Sequence, residues 1–178
     1  RSDLIGFYEK SENYEALVDE YVIASTTDVN GIITHASNLF CKMTGFSKEE
    51  LVGNSHNIIR HVDMESKVFK DMWNTLLSGK AWRADIKNLA KNGNYYWVDS
   101  IISPIINESG NTIGYKSFRF DITYKKELEL KTQEAQALSD TIETFLLDEN
   151  FDTKEFQNIV RRRKDENKIQ YIAPELWE

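Results

Sequence analysis

"AWRADIKNLAKNGNYYWVDSIISPIINESGNTIGYKSFRFDIT", residues 81–123, is the most informative stretch of this sequence for the architecture. It contains three runs rich in β-branched and aromatic residues, separated by two short polar segments. The first segment is Lys-Asn-Gly-Asn at 91–94, and the second is Asn-Glu-Ser-Gly-Asn at 107–111. Both are rich in turn formers, and short connections of this kind join antiparallel neighbours. The stretch therefore predicts a three-stranded antiparallel meander.

A β-hairpin is predicted before this meander. Residues 22–36, VIASTTDVNGIITHA, place Asn30-Gly31 between two β-branched runs, and both of these turn residues tolerate positive φ. An isolated hairpin is marginal in water, so we expect it to join the meander in one five-stranded antiparallel sheet. The helices between them would then cover one face of that sheet. The predicted fold class is α+β, with a concave face on the sheet.

Three helices are predicted between the hairpin and the meander. Two are short, at 37–45 and 47–53, and Ser47 with Glu50 in the second forms a capping box. The third and longest is predicted to begin with Asp63 as its capping residue and to end at Ser78-Gly79. Its apolar residues recur at helical spacing and are Phe69, Met72, Trp73, Leu76 and Leu77.

Helices are also predicted on both sides of the sheet region. In residues 11–21 the apolar side chains fall at i, i+3, i+4 and i+7, and they are Tyr14, Leu17, Val18 and Tyr21. In residues 124–147 they follow a heptad interrupted by Lys131, and they are Tyr124, Leu128, Ala135, Leu138, Ile142 and Phe145. The sequence therefore divides into a helical cap (1–20), the sheet domain (21–123), a helical linker (124–147) and an extension of unknown role (148–178).

Composition excludes several classes of function. The 178 residues carry a net charge of −7, and an acidic surface repels nucleic acid. The single cysteine, Cys41, permits no internal disulfide, which fits a reducing compartment and predicts a cytoplasmic location. No run approaches the ~18 apolar residues that a membrane span needs. The sequence holds no glycine-rich phosphate loop, H-E-x-x-H motif or paired-cysteine metal site, so we expect neither enzymatic activity nor a metal centre.

Two long segments match a known family. "GIITHASNLFCKMTGFSKEELVGNSHNIIRHVDM" (31–64) resembles the first half of a PAS domain. "KNGNYYWVDSIISPIIN" (91–107) with "GNTIGYKSFRFDIT" (110–123) resembles its last strands, which end on a D-I-T sequence. The resemblance covers residues 21–123 and implies the PAS fold with a C-terminal signalling helix.

Within that family the sequence is most similar to the PAS domains of Aer-type energy-taxis receptors and related histidine kinases. Arg-His-Val-Asp-Met-Glu at 60–65 resembles their R-H-P-D-M-P, with both prolines replaced, and Trp82-Arg83-Ala84 and Lys87-Asn88 match further motifs. The resemblance implies noncovalent binding of FAD, a report of redox state or oxygen, dimerisation, and a receptor or kinase as partner. The residues it implies for FAD binding are Arg60, His61, Asp63, Phe69, Trp82 and Asn88.

Strand periodicity places Asn88 on the inward face of its strand, which is compatible with the role that the resemblance implies. In WRADIKNLA, residues 82, 84, 86, 88 and 90 share the inward face, so Asn88 is a polar group among apolar ones. A buried amide without a partner costs about 1–3 kcal/mol, and a flat ring with polar edge atoms would satisfy it. The alternative is a bond to neighbouring backbone. Arg60 has two interpretations as well: a phosphate contact near a helix start, or an ion pair with Asp63 or Glu65.

Three other functions were weighed. Haem could be held by His56 or His61, which would make the domain a gas sensor. The helices before residue 21 and after residue 124 could instead form a cofactor-free dimerisation module. Covalent flavin photochemistry is excluded, because photoadduct PAS domains place a cysteine in the region that reads NSHNIIRH here, and Cys41 lies earlier as a small buried hydrophobe.

Overall fold

The computed structural model describes residues 13–146 and, beyond them, residues 154, 157–158 and 161–162, which are helical. The chain divides into two compact units, residues 1–123 and 124–178. Most of the predicted 148–178 extension and the first twelve residues of the predicted cap lie outside the described residues.

The first unit contains one five-stranded antiparallel sheet. Its strands are β1 Ile23–Thr27, β2 Ile33–Ala36, β3 Trp82–Leu89, β4 Tyr95–Ile106 and β5 Thr112–Asp121. Their spatial order is β2-β1-β5-β4-β3, so the hairpin joins the meander through the pairing of β1 with β5. The predicted α+β class, the hairpin and the meander are all confirmed.

Short helices connect β2 to β3. Their bounds are α2 Asn38–Thr44, α3 Lys48–Leu51, a 3₁₀ helix at His56–Ile59, and α4 Ser66–Leu77, while α1 precedes the sheet at 13–21. Helix α5 runs over Thr123–Leu146 and belongs to the second unit from Tyr124 onward. Among the described residues, no helix combines the length and apolar character needed to cross a membrane.

Local capping decides where these helices begin and end. The predicted capping box at α3 is confirmed, because Ser47 Oγ accepts from the Glu50 N–H and Glu50 Oε2 accepts from the Ser47 N–H. The predicted start of α4 at Asp63 is wrong, since α4 begins at Ser66 with Glu65 as a residue that makes no side-chain cap. The Asp63 carboxylate instead accepts from Lys87 Nζ at 2.6 Å.

Two apolar clusters hold the helices on the sheet. One lies between α4 and strands β3 to β5, with Leu76 and Val98 fully buried. The other lies under α2 and α3, with Phe40 and Leu51 fully buried. Each fully buried side chain of this kind contributes roughly 1.5–3 kcal/mol through the hydrophobic effect. The two clusters leave a space between them over the middle of the sheet.

Candidate functional site

A cavity of about 370 Å³ occupies this space between the sheet and α4. Exposed side chains at its rim include Asn30 and Asn57. Its volume is at the lower end of the range for small-molecule pockets, about 300–1,000 Å³. The cavity is therefore large enough for a multi-ring ligand and has access to solvent.

Three serines create the floor of this cavity. Ser25, Ser100 and Ser117 are buried on the adjacent strands β1, β4 and β5. Ser25 lies opposite Ser117 in the sheet register, and the Ser100 and Ser117 hydroxyl oxygens are 3.4 Å apart. Protein interiors are otherwise close-packed, and larger side chains at these positions would fill the space. The cavity thus follows from small residues at the centre of the inner face.

Arg119 places a positive charge inside the cavity wall. Only 5% of the residue is exposed, and its Nη1 donates to Ser25 Oγ at 3.0 Å. The guanidinium carbon lies 4.8 Å from the centre of the Phe40 ring. Among the described residues no carboxylate forms an ion pair with Arg119, and burial lowers its pKa to about 10. A buried cation without an ionic partner is costly, so it marks a candidate ligand site.

His56 is a half-buried ionisable group at the same wall. Its Nε2 lies 3.0 Å from Ser25 Oγ. Burial, and then the positive charge of Arg119, lowers the pKa of His56 to about 3. The ring is therefore neutral near pH 7. Because Ser25 already accepts from Arg119, its hydroxyl hydrogen is available to His56 Nε2, which assigns the imidazole proton to Nδ1.

Asn88 and Tyr96 add polar groups beside Arg119. Asn88 is 5% exposed on the inner face of β3, as its strand position predicts, and it borders the cavity. Its cross-strand partner is Tyr96, whose buried Oη has no hydrogen-bond partner within the described residues. Burial raises the pKa of Tyr96 to about 12, against the opposing effects of Arg119 and Asn88. Tyr96 itself does not line the cavity, so its hydroxyl borders the site behind Asn88.

Helix α4 supplies the apolar wall. The α4 side chains that line the cavity are Phe69, Met72, Trp73 and Leu76. Trp73 packs edge-on against Tyr115, with the ring centres 5.3 Å apart. It also touches Gly31, where an added β-carbon would lie 3.0 Å from the indole, and Gly31 has a φ of +81° that favours glycine. Flat aromatic walls with few polar groups are typical of cofactor pockets.

Three of the six residues predicted to bind FAD line the cavity: Arg60, Phe69 and Asn88. The Arg60 guanidinium lies 4.3 Å from the centre of the Phe69 ring, and its Nη2 donates to Met64 O at 2.6 Å and to Ser66 Oγ at 3.3 Å. Within the described part of the chain, no ion pair joins Arg60 to either of the acidic residues considered as its alternative partners.

The other three predicted residues are not part of the cavity lining. Trp82 is buried, and its Nε1 donates to Asp71 Oδ2 on α4 at 2.8 Å. The Asp63 carboxylate meets Lys87, and the Asp63 N–H donates to His61 Nδ1 at 3.2 Å. His61 packs edge-on against Tyr95. These three side chains therefore form contacts between the elements around the cavity and do not line the cavity itself.

Cys41 and the cavity are separate. The cysteine is half-buried on α2, packed against the second apolar cluster, and does not line the cavity. Burial raises the pKa of its thiol, so the unreactive protonated form dominates at neutral pH.

Sequence analysis missed Arg119, although its strand carried a signal. On β5 the buried face holds Tyr115, Ser117 and Arg119, while Phe118 and Phe120 face outward. Side chains alternate between the two faces as in any strand, but here two polar side chains face inward and two phenylalanines face outward. Hydrophobicity alone therefore assigns the wrong face to the interior. The register with β1, in which Ile23 lies opposite Arg119, is what identifies the inner side.

Comparison with known proteins agrees with this architecture. Residues 33–119 match the model of the PAS fold family. The chain is 43% identical over 103 residues to the aerotaxis receptor of Escherichia coli K12, covering 58% of this chain and 20% of that protein. It is 30% identical over 121 residues to a nitrogen fixation regulatory protein of Klebsiella pneumoniae, covering 68% and 24%. The chain thus spans about a quarter or less of these relatives.

Solved structures give the same result for the fold. A light-oxygen-voltage domain studied with a flavin analogue superposes with a TM-score of 0.58 at 20% identity, covering 68% of this chain and 93% of that one. At this identity the likeness concerns the fold alone. Together with the sequence relatives it supports one assignment: residues 33–119 form a PAS domain, similar in sequence to a segment of the aerotaxis receptor.

Proposed function

We propose that residues 21–123 are a sensory module that binds FAD noncovalently in the cavity and reports redox state or oxygen. The observation that carries the proposal is Arg119, a buried guanidinium at the cavity wall without a carboxylate partner among the described residues. Such a cation needs a ligand with negative charge or electron-rich oxygens. A flavin offers carbonyl oxygens and ring nitrogens along one edge and a flat apolar surface elsewhere.

The remaining residues of the cavity fit the same group. Asn88, which lines the cavity, offers both a donor and an acceptor. Phe69 and Trp73 provide aromatic surface for a flat ring. The relative named as an aerotaxis receptor and the flavin-analogue study of a structural neighbour add support from outside the chain. For the part of FAD beyond the ring, the open side of the cavity leads to solvent.

A bound flavin would supply a ring that accepts and releases electrons. The Arg119 guanidinium can only donate, whereas the Asn88 amide can turn to donate or accept. A change of charge on the ligand therefore changes which orientation of Asn88 is favoured. Two states that differ by a few kcal/mol are enough for a switch.

Strand β5 connects the cavity wall to the start of helix α5, so a rearrangement at the cavity could be transmitted along it. Arg119 lies two residues before Asp121, whose Oδ1 accepts from the N–H of Thr123 at 2.8 Å. Thr123 Oγ1 in turn accepts from the N–H of Trp97 on β4 at 3.0 Å. Helix α5 begins at Thr123, so a displacement of β5 would act on its first turn.

The visible absorption of freshly purified protein tests this proposal. We expect flavin bands that bleach with dithionite, and release of FAD on denaturation, identified by chromatography against FMN and riboflavin. A colourless protein with no extractable flavin, which also fails to bind added FAD, would overturn the proposal.

The proposal extends to the setting of the module. We expect a non-enzymatic role in the cytoplasm, in a homodimer, with signal output to a receptor or kinase domain in the same or another chain, and no binding of nucleic acid. The net charge of −7 and the relatives named as an aerotaxis receptor and a histidine kinase support these expectations.

A cofactor-free dimerisation module is the second candidate, because apolar side chains are exposed on two helices. On α1 these are Tyr14, Leu17, Val18 and Tyr21, and on α5 they include Tyr124, Leu128 and Leu130. The α1 side chains Asp19 and Glu20 bond to His35 and Lys42, so the polar side of α1 faces the domain. Dimerisation without pigment would favour this candidate.

Haem receives less support than flavin from the histidines. His56 Nε2 is engaged by Ser25 beside a buried cation, and His61 lies outside the cavity lining. The same absorption measurement separates the two cofactors, because haem gives an intense Soret band that shifts with carbon monoxide.

A further inference from the structure

Lys87 connects the loop of residues 60–65 to strand β3 by several contacts. Its Nζ donates to Asp63 Oδ2 at 2.6 Å and lies 4.6 Å from the centre of the Tyr95 ring. Its backbone N–H donates to the sulfur of Met64 at 3.3 Å. The Lys87 side chain is 17% exposed, so this cation is largely enclosed by the loop and the sheet.

Both ends of this connection adjoin the cavity. Arg60 opens the loop, and its backbone pairs with that of Asn88, the residue that follows Lys87, as an antiparallel bridge. Arg60 and Asn88 both line the cavity. Inside the loop, Arg60 Nη2 donates to Met64 O at 2.6 Å, and the Met64 N–H donates to His61 O at 3.1 Å. A displacement of the loop from β3 would therefore move both residues at the cavity wall.

Besides the Arg60–Asn88 bridge and its internal hydrogen bonds, the loop depends on the contacts of Lys87 with Asp63 and Met64. Its sequence, Arg-His-Val-Asp-Met-Glu, contains no proline, and Val62 is 90% exposed. A backbone without proline loses more conformational entropy when it is ordered. The contacts of the enclosed Lys87 ammonium and of the buried Met64 side chain help to offset this loss of conformational entropy.

We propose that Lys87 is a positioning residue that clamps the 60–65 loop to β3 and so holds Arg60 and Asn88 where they retain the flavin. In this arrangement Asp63 acts on the cofactor through Lys87 without contacting it, and His61 supports the clamp through Asp63 and Tyr95. The inference rests on the proposed flavin-binding function and adds a residue that keeps Arg60 and Asn88 in position at the cavity wall.

Lys91 provides a matched control. Its Nζ lies 2.6 Å from Glu50 Oε1 and 5.5 Å from the centre of the Phe46 ring, so it combines an ion pair and a ring contact as Lys87 does. It belongs to the turn after β3 and does not line the cavity. Lys87→Met and Lys91→Met each remove a charge while keeping the apolar stem.

The test measures FAD affinity by titration of the flavin-free full chain, together with amide hydrogen exchange at residues 63 and 64 without flavin. Lys87→Met and Asp63→Asn should each raise the dissociation constant about three- to ten-fold and speed exchange at both amides. The double variant should bind FAD with the same affinity as either single variant, because both substitutions remove the same interaction between Lys87 and Asp63. Lys91→Met should change neither quantity.

The two measurements separate the failure of this inference from failure of the function. If the wild type binds FAD and Lys87→Met binds it equally well, the clamp has no role in cofactor retention and the inference is wrong. If the wild type binds no flavin, the proposed function is wrong, and unchanged exchange in Lys87→Met would overturn the clamp as well.

Discussion

Burial of the Arg119 charge lowers the stability of the folded protein, whereas the same charge is expected to strengthen binding of the ligand. Its guanidinium is buried without a carboxylate, and one hydrogen bond to Ser25 only partly replaces its hydration. Buried cations are commonly retained at functional sites for this reason, because a ligand supplies the missing partner. The stability of the flavin-free protein and its affinity for flavin should therefore respond differently to the loss of this charge.

Arg119→Met tests that difference. We expect the free energy of unfolding of the flavin-free protein to stay the same or rise, because an apolar side chain of similar length needs no hydration. FAD affinity should fall at least about ten-fold, as expected for a lost charge-assisted hydrogen bond. Urea denaturation and flavin titration measure the two quantities.

Arg83→Met is the control for this experiment. Arg83 is an exposed arginine on β3 that pairs with Asp99 outside the cavity, so its loss should leave flavin affinity unchanged. Equal affinity for FAD in Arg119→Met and the wild type would contradict the role assigned to the buried guanidinium.

His56 predicts a pH dependence of stability. Burial and then the charge of Arg119 lower its pKa to about 3 in the folded protein, from the 6.5 of an unperturbed imidazole. The unfolded chain therefore binds a proton below about pH 6.5 that the folded protein does not bind until about pH 3. Stability that is complete above pH 6.5 is lost as pH falls, by about 2 kcal/mol between pH 6.5 and 5.

Denaturation of wild type and His56→Gln at a series of pH values measures this contribution. The glutamine variant should lose that part of the slope between pH 6.5 and 5, because glutamine binds no proton. An identical slope in both proteins would show that His56 does not remain neutral in the folded state.

At the scale of elements, the sequence predicted the strands better than the site they form. Turn residues and β-branched runs identify β1 to β5 locally, and the polar inward Asn88 was visible in the alternation of β3. The inward face of β5 could not be assigned in that way, because Phe118 and Phe120 face outward and Ser117 and Arg119 face inward. That choice is made by pairing with β1 and β4, which are distant in sequence.

The start of α4 shows the same limit. Asp63 has a side chain suited to a helix cap, and local sequence favours that use. In the structure its carboxylate bonds to Lys87, 24 positions later, and the pairing lowers the pKa of Asp63. A tertiary contact thus replaced the local one, and α4 begins three residues further on.

The serine floor of the sheet gives a prediction about volume. Ser117→Leu should fill part of the cavity, so FAD binding should be abolished or weakened by more than about ten-fold. The fold should persist, because the added side chain enters existing space. Flavin titration and circular dichroism measure the two effects.

Ser103→Leu serves as the comparison for this variant. Ser103 lies on β4 opposite Lys116, outside the buried serine row, and does not line the cavity, so its replacement should leave flavin affinity intact. Undiminished FAD binding by Ser117→Leu would contradict the location of the ligand.

Helix α5 predicts self-association. Its described side chains are mostly exposed, including Tyr124 and Leu128 of the predicted heptad, so an apolar seam is available to a second copy. The full chain should sediment as a dimer, and a chain ending at Thr123 should sediment as a monomer. Equal association of the truncated protein would show that the heptad does not form the interface.

At the scale of the whole molecule, the PAS architecture was predictable because its signals are repeated in many places. The hairpin, the meander and the helix positions each follow from several turn and periodicity signals, and an error at one, such as Asp63, leaves the others intact. No comparable set of repeated sequence signals predicts the cavity. It depends on three serines, Arg119 and His56 meeting from separate elements. The sequence assigned only Asn88, Arg60 and Phe69 of its lining to flavin, and His56 to haem as an alternative.

The central claim is that a flavin ring occupies the cavity between the serine floor and α4. The most direct measurement is the electron density of crystals grown from the protein loaded with FAD. We expect density for the ring above Ser25 and Ser117, with polar edge atoms within hydrogen-bond distance of Arg119 and Asn88. Flavin bound anywhere else on the protein, or this cavity filled by the protein's own side chains in the loaded crystals, would contradict it.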